Sequence, residues 1–391
     1  MLLELLREAF PKGSKLPNNI HEDKKLVKFF RLDYVSIHAC EHDCVLFWKN
    51  YKDAEVCPVC ETSCWKSVKK KPDGRHVHKV PRMVLRYFPI GKRLQWLFIS
   101  PKSATDCRWH DDGRTKDGLL RHLADSPAWK HFDSEHPTFA ADSRNIRLII
   151  ATDGFNPFRP MNCSYSIWHV IAIPVNFPPW LCMKQPNFML SLLIPGPKSP
   201  GADIDFFLEP LVDDLELLFE EGVTTYDASR KDFFHLRVVV HSTITDLPGM
   251  STLAGCATSG ELGCPKCHTL TWSIRLRKGN KTCYMDHRMF LDEDHPFRAM
   301  QKDFFDGKVK SRTAPVALTE TEVDALTQNM ETVFGKHPSK KPTTNKRKRG
   351  DPPIIHKGRS KWFRLRYWKD LLQPHNLDAM HIEKNVCDNI V

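Results

Sequence analysis

The chemistry open to this chain begins with one acid. The stretch NIRLIIATDGFNPF, residues 145–158, reads as an apolar β-strand over Ile146–Ile150 that reaches a single carboxylate at Asp153. A carboxylate at the mouth of an apolar strand is a costly placement unless something uses it, and a divalent cation is the obvious user. Gly154 is expected to turn the chain away sharply, and taken alone the pattern is better explained by an acid that only caps a turn. The arrangement recurs at HSTITDLPGM, where a β-branched run ends in Asp246 ahead of a Pro–Gly turn.

Thirteen cysteines supply a second chemistry. An odd count with Cys-x2-Cys pairs argues for metal sites in a reducing compartment rather than a disulfide framework. HACEHDC and CPVC set out Cys40, Cys44, Cys57 and Cys60 as two thiolate pairs. Two knuckles joined by a short loop are what tetrahedral zinc requires, and four thiolates close the coordination sphere, so the role is structural. His38, His42 and Cys64 are spare ligands. A second set, Cys264, Cys267, Cys283 and His287, has the spacing C-x2-C-x15-C-x3-H and reads as a Cys3His zinc site. Its rival ligands are His268 and His295, with Cys256 outside the set. Cys107, Cys163 and Cys182 are scattered and read as packing residues. There is no HExxH or similar open zinc motif, which argues against a zinc hydrolase.

An α/β pattern beginning at Asn145 must position the acids. After the strand leading to Asp153 come two more, Ser164–Val175 and Phe188–Gly196, joined by the short connections of an antiparallel meander. A helix follows over about Asp203–Glu221, with Ile204, Phe207, Leu208, Leu211, Leu215 and Leu218 on one face and Pro210 expected to kink or delay it. The fourth strand, FHLRVVVHSTIT, ends at Asp246. The order β-β-β-α-β, with acids closing the first and fourth strands, is that of a ribonuclease-H-like mixed sheet, in which those two strands lie side by side. Carboxylates so placed repel, and both stay ionised at low cost only with divalent cations between them.

The remaining chain divides by composition. N-terminal helices are expected over 1–33, a zinc-ribbon-like module over 34–66, and a basic linker with a mixed helical region over 67–143. The catalytic core spans 144–255, a zinc-binding insertion 256–300, a basic, partly disordered insertion 301–372, and a final helix 373–391. In that helix Asn376 is the N-cap candidate, and Ala379, Ile382, Val386 and Ile390 form a stripe expected to be buried. Glu383 lies at the edge of the stripe and Asp378 a turn earlier, so either could serve as a third acid if the helix packs on the sheet. His110, Asp111 and Asp112, lacking knuckle spacing, read as surface and cap residues.

The balance of 58 basic to 47 acidic residues, net +11, favours a polyanionic partner. SVKKKPDGRHVHKVPRMVLRYFPI (67–90) and KWFRLRYWKDL (361–371) interleave cations with aromatics. That composition suits phosphate tracking and base stacking, and equally a linker or an amphipathic helix. KKPTTNKRKRGDPP (Lys340–Pro353) is too poor in apolar residues to bury a core and is expected to be disordered, its KRKR serving nuclear import or phosphate contact. No apolar run is long enough to span a bilayer, and MLLELLREAF lacks the layout of a signal peptide, so the expected setting is intracellular.

Together these strings resemble the transposases of plant CACTA-type (En/Spm-type) DNA transposons. The resemblance is carried by LDYVSIHACEHDCVLFWKNY with CPVC, by RNIRLIIATDGFNPF, by HSTITDLPGMSTLAGC, by CPKCH with KTCYMDHR and HPFR, and by PHNLDAMHIEKNVCDNI. It implies a nuclear cut-and-paste transposase with an acidic triad of Asp153, Asp246 and Glu383, Asp378 being the rival for the third place. It implies two Mg2+ ions, with Mn2+ as a substitute, at the triad, and Zn2+ at one or both cysteine sites. The implied partners are DNA at the transposon ends and target, a homo-oligomer, and an accessory element-encoded DNA-binding protein, with no membrane. Relatives continue well beyond the equivalent of Val391, so a truncated copy is expected. The competing reading is a catalytically silent zinc-containing DNA-binding remnant or domesticated protein.

Overall fold

The computed structural model describes residues 32–66, 79–158, 164–258, 260–301, 307–330 and 355–390, with single positions at 19, 21, 22, 25, 332, 334 and 335. The expected N-terminal helices fall almost wholly outside these residues, as do Cys163, the basic run 67–78 and Lys340–Pro353. The chain forms two compact units, Met1–Ser199 with Phe206–His241, and Pro200–Asp205 with Ser242–Val391. No helix among the described residues is long and apolar enough to cross a membrane.

Apolar runs with β-branched residues build the strands of a seven-stranded mixed sheet. In chain order these are β1 (Val35–Ala39), β2 (Met83–Tyr87), β3 (Ile146–Phe155), β4 (Ile167–Pro174), β5 (Met189–Ile194), β8 (Val238–Thr245) and β11 (His375–Leu377). Their order in the sheet is β1-β2-β5-β4-β3-β8-β11. The expected meander is present, with β3 antiparallel to β4 from Leu148↔Pro174 to Phe155↔Ile167, and β4 antiparallel to β5. The basic segment at 83–87, expected as linker or helix, is instead strand β2, antiparallel to β1 and β5.

In the first unit Ile146 to Ile150 are all buried, so β3 is covered on both faces. The helices here are α1 (Ile90–Trp96), α2 (Pro127–Glu135) and α3 (Ile204–Glu220), and Trp129 of α2 lies under the Arg147 guanidinium of β3 at 4.0 Å. Phe207, Leu208, Leu211, Val212 and Leu215 of α3 are fully buried, and Pro210 sits inside the helix without ending it. The expected single strand FHLRVVVHSTIT is two strands, split at Arg237: β7 (Asp232–Leu236) closes a hairpin with β6 (Val223–Asp227), and β8 begins at Val238. Arg237 is held at the break by its backbone N–H donating to Asn145 Oδ1 at 2.9 Å and its Nε donating to the Phe219 carbonyl at 2.7 Å.

The second unit is irregular and is held by side chains that replace missing ladder bonds. Arg298 is buried, and its guanidinium donates to the carbonyls of Met289, Leu291, Lys310 and Arg312. Arg288, also buried, serves Phe297, Met300 and Lys308. The segment KWFRLRYWKDL is neither an amphipathic helix nor an exposed stacking surface. Trp362, Leu365, Tyr367 and Trp368 are buried, and the two indoles stack at 5.1 Å with planes 15° apart. The unit's helices are α4 (Leu247–Leu253), α5 (Glu320–Thr327) and α6 (Ala379–Ile390), and β9 (Ser273–Leu276) pairs with β10 (Lys281–Tyr284).

Replacing Trp362 by Ala removes a fully buried indole and one half of the stacked pair. Its expected cost is about 3–5 kcal/mol of unfolding free energy, read as a lower urea midpoint by fluorescence. Asp205 supplies a pH-dependent counterpart. It is buried, one oxygen accepting the Lys361 N–H at 2.9 Å and the other unpartnered, and burial raises its pKa from 3.8 to about 7. The folded state thus binds a proton that the unfolded state has lost, so stability falls as pH rises from 3.8 to about 7. Asp205→Asn is expected to flatten that slope in chemical denaturation series run across the same pH window.

Candidate functional site

The first cysteine set is assembled at the end of β1. Cys40 follows the strand directly, and its backbone N–H donates to the Val45 carbonyl at 3.0 Å while the Asp43 N–H returns to the Cys40 carbonyl at 3.0 Å. The second knuckle is closed by Cys57 N–H to the Thr62 carbonyl and Glu61 N–H to the Cys57 carbonyl, each 2.9 Å. Asp43 and Glu61 take the left-handed conformation these tight turns demand, at φ 56° and 57°. The sulfurs of Cys40, Cys44, Cys57 and Cys60 lie within 4.8 Å of one another, with Cys40 and Cys60 at 3.5 Å. Tetrahedral Zn–S bonds of about 2.3 Å set sulfurs roughly 3.8 Å apart, so this cage has the size and the soft donors for zinc.

Among the described residues this is the one group of three or more such side chains gathered to that spacing. Burial pushes the Cys40 thiol up to about 12 and raises Cys44 further, whereas hydrogen bonding from Thr62 and the neighbouring sulfurs outweighs burial at Cys60 and lowers it to about 7. Bound zinc would deprotonate all four and act structurally, since no position stays open for substrate. The spare ligands have other roles. Cys64 is buried in the same small core with Val45 and Phe47, His38 packs edge-on to Trp65, and His42 lies 3.7 Å from Glu41.

The second set is spread over a knuckle and a hairpin. The Cys267 N–H donates to Cys264 Sγ at 3.4 Å, Cys283 lies on β10, and the exposed His287 opens the following turn. The rival His268 faces a residue the sequence did not single out, its Nε2 lying 3.0 Å from His356 Nε2. Cys256, 3.5 Å from His356 Nδ1, belongs to the same chain of contacts. Burial keeps His356 neutral, with a pKa near 4, and lowers His268 as well. His295 is occupied as a cap, accepting the Phe297 N–H. Lys266 and Glu320, also unflagged by sequence, line a pocket with Cys256, His356 and His375. Burial raises Glu320 to about 7 against the pull of Lys266. A hundred residues separate Cys256 from His356, so no local spacing could have paired them.

The acids are placed as follows. β3 runs on to Phe155, so Asp153 lies within the strand rather than after it, and it is exposed. Gly154 does not turn the chain. It pairs with Trp168, and a Cβ there would meet the indole Nε1 at 2.5 Å, so glycine is required for close approach. Opposite Asp153 stands His169, whose pKa is lowered by burial and raised by the acid's charge. Asp246 follows β8 directly and caps α4, accepting the Gly249 N–H at 2.7 Å, so the expected Pro–Gly turn is a helix start.

β11 was not expected. His375–Leu377 pairs in parallel with Thr243–Thr245, so Asn376 is a strand residue. The helix is capped by Asp378, whose Oδ1 accepts the Met380 N–H at 3.0 Å. Glu383 is exposed on α6, and the expected buried stripe is solvated, with Ile382 46% and Val386 52% exposed. No described element covers that apolar face. His110, expected at the surface, is buried with Nδ1 3.3 Å from Asn176 Nδ2.

Residues 117–330, more than half of the chain, match the family model described as transposase family tnp2. The chain belongs to that family. The matched stretch contains Asp153, Asp246 and the second cysteine set, and leaves Cys40–Cys60 and Glu383 outside. Membership implies DNA binding and divalent-metal use in general. No curated protein matches the chain.

The cysteine cage yields a direct prediction. Cys57→Ala is expected to abolish stoichiometric zinc at this position and to destabilise the module, checked by elemental analysis and by loss of thiolate–Co2+ charge-transfer absorption after cobalt substitution. Acidification protonates the ligands, so zinc is released as pH falls and rebinds as it rises.

Proposed function

We propose that this transposase-family chain cleaves and joins DNA strands of a CACTA-type element by metal-dependent phosphodiester chemistry, with Asp153, Asp246 and Glu383 as the metal-holding acids. The observation that carries the reading is the strand order within the family-matched chain. A β3-β4-β5 meander, a long helix α3, then β8 with β11 parallel to it, supports the ribonuclease-H-like plan expected from the sequence. On that plan the first acid belongs on β3, the second at the end of β8 and the third on the helix after β11. Those are the chain positions of Asp153, Asp246 and Glu383.

The donor chemistry fits Mg2+, or Mn2+ in its place, since these ions take hard carboxylate oxygens. When bound, such ions would lower the pKa of an attacking water or 3′-hydroxyl and neutralise charge on the leaving oxygen. The chain's own contributions are local. The cap bond from Gly249 fixes one Asp246 oxygen. On the other strand, Asp153 Oδ1 accepts the Gly154 N–H at 2.6 Å, and burial lowers the pKa of the facing His169 against the pull of the acid. Asp378, the rival for third acid, has one oxygen on its cap bond to Met380. The nucleus as compartment, a homo-oligomer and an accessory DNA-binding protein belong to the same proposal.

The test is cleavage of DNA carrying the element's terminal sequence, with Mg2+ supplied. Asp153→Asn, Asp246→Asn and Glu383→Gln are each expected to reduce nicking and joining by about a hundredfold or more, with zinc content and DNA affinity retained. Undiminished cleavage in Asp153→Asn or Asp246→Asn would refute the assignment.

A further inference from the structure

Between α3 and β8 the chain inserts the β6–β7 hairpin, whose two faces differ. One face is buried, carrying Thr225, Phe234 and Leu236, with Phe234 edge-on to Phe98 at 5.0 Å and the Arg144 guanidinium 4.0 Å above its ring. The opposite face presents Tyr226 and Phe233, directly paired across the strands, 43% and 71% exposed, with ring centroids 5.1 Å apart. Scattered exposed apolar residues are ordinary. An opposed aromatic pair beside an exposed cationic tip, Arg230 and Lys231, is not a scattered residue.

The support beneath the pair is rigid. Buried Asp227 accepts from Ser229 N–H, Ser229 Oγ and Arg230 N–H with one oxygen, and from Arg108 Nη1 at 3.1 Å with the other. Ala228 N–H donates to the Phe98 carbonyl, Gln95 Nε2 to the Thr224 carbonyl, and Arg144 to Asp232. The tip is therefore pre-organised, and binding there would spend little on ordering.

We propose that the outer face of this hairpin is a stacking platform for an unpaired DNA base, with Arg230 and Lys231 holding the adjoining phosphates. The inference rests on the transposase reading and extends it to a preference among DNA forms. A base inside a duplex has both faces covered by its neighbours, so an aromatic side chain can stack only on a base at a strand end, in an overhang or outside the helix. The cationic tip supplies the matching charge and contributes equally to every DNA form.

The experiment compares the whole chain with two double variants, Tyr226→Ala/Phe233→Ala and Arg230→Ala/Lys231→Ala, on a blunt duplex and on the same duplex with a single-stranded overhang bearing 2-aminopurine. The wild type is expected to prefer the overhang and to change 2-aminopurine fluorescence on binding. The aromatic variant should lose that preference and weaken overhang binding by about tenfold or more, leaving blunt-duplex affinity unchanged. The cationic variant should weaken both forms and lower the salt dependence of each. Tyr226→Phe/Phe233→Trp, which keeps two rings, should retain the preference and so separate stacking from a folding defect. If the wild type binds DNA but the aromatic variant binds both forms as well as it does, the platform is refuted and the transposase reading stands. If the wild type binds neither form, the transposase reading fails and the platform with it.

Discussion

Strands buried on both faces that must turn polar within a few residues govern the arrangement of this protein. β3 is buried from Ile146 to Ile150 and exposed at Asp153, and β8 is buried from Val238 to Thr243 and reaches half-buried Asp246. A strand covered on both sides contributes apolar burial along its length and tolerates a charge there only when it is paired, as buried Arg147 is with Asp133. A carboxylate is cheap only where the cover stops. The same constraint that builds the core thus leaves Asp153 on the exposed last stretch of β3 and Asp246 just past β8, where it can also cap a helix.

The N-terminal module answers to a different constraint. Its small core consists largely of the cysteines themselves, Cys40, Cys44, Cys57 and Cys64, with Val45 and Phe47. So little apolar surface cannot offset the entropy of ordering two tight turns that hold Asp43 and Glu61 at positive φ. Metal–thiolate bonds are the natural source of the missing free energy. In the second unit the corresponding burden falls on Arg288 and Arg298, each gathering several loop carbonyls with a planar fork of donors.

Long apolar runs and tight cysteine knuckles were legible in the sequence because their periodicity or spacing is local. β3, β4, β5, α3 and the Cys40–Cys60 cage follow from it. β11 was not legible. Three residues, His375–Leu377, carry no periodicity and become a strand only because β8 offers an edge. The hairpin break at Arg237 was hidden because a single residue interrupts an otherwise continuous β-branched run. KWFRLRYWKDL misled in the other direction. Its cations suggested surface, but Trp362, Tyr367 and Trp368 pack inward while Arg366 and Lys369 stay exposed. On α6 the amphipathic pattern is real, but a pattern specifies a partner face without supplying one.

The missing side chain at Gly154 has a consequence beyond fit. Its absence lets the Trp168 indole lie across β3 one position from Asp153. Trp168 precedes His169 on β4, where burial lowers the imidazole's pKa and the charge of Asp153 opposes it. Any residue larger than glycine would displace the indole. Position 154 is therefore a spacer rather than a hinge: a side chain there would push the indole aside and tilt β4 away from the strand that carries Asp153.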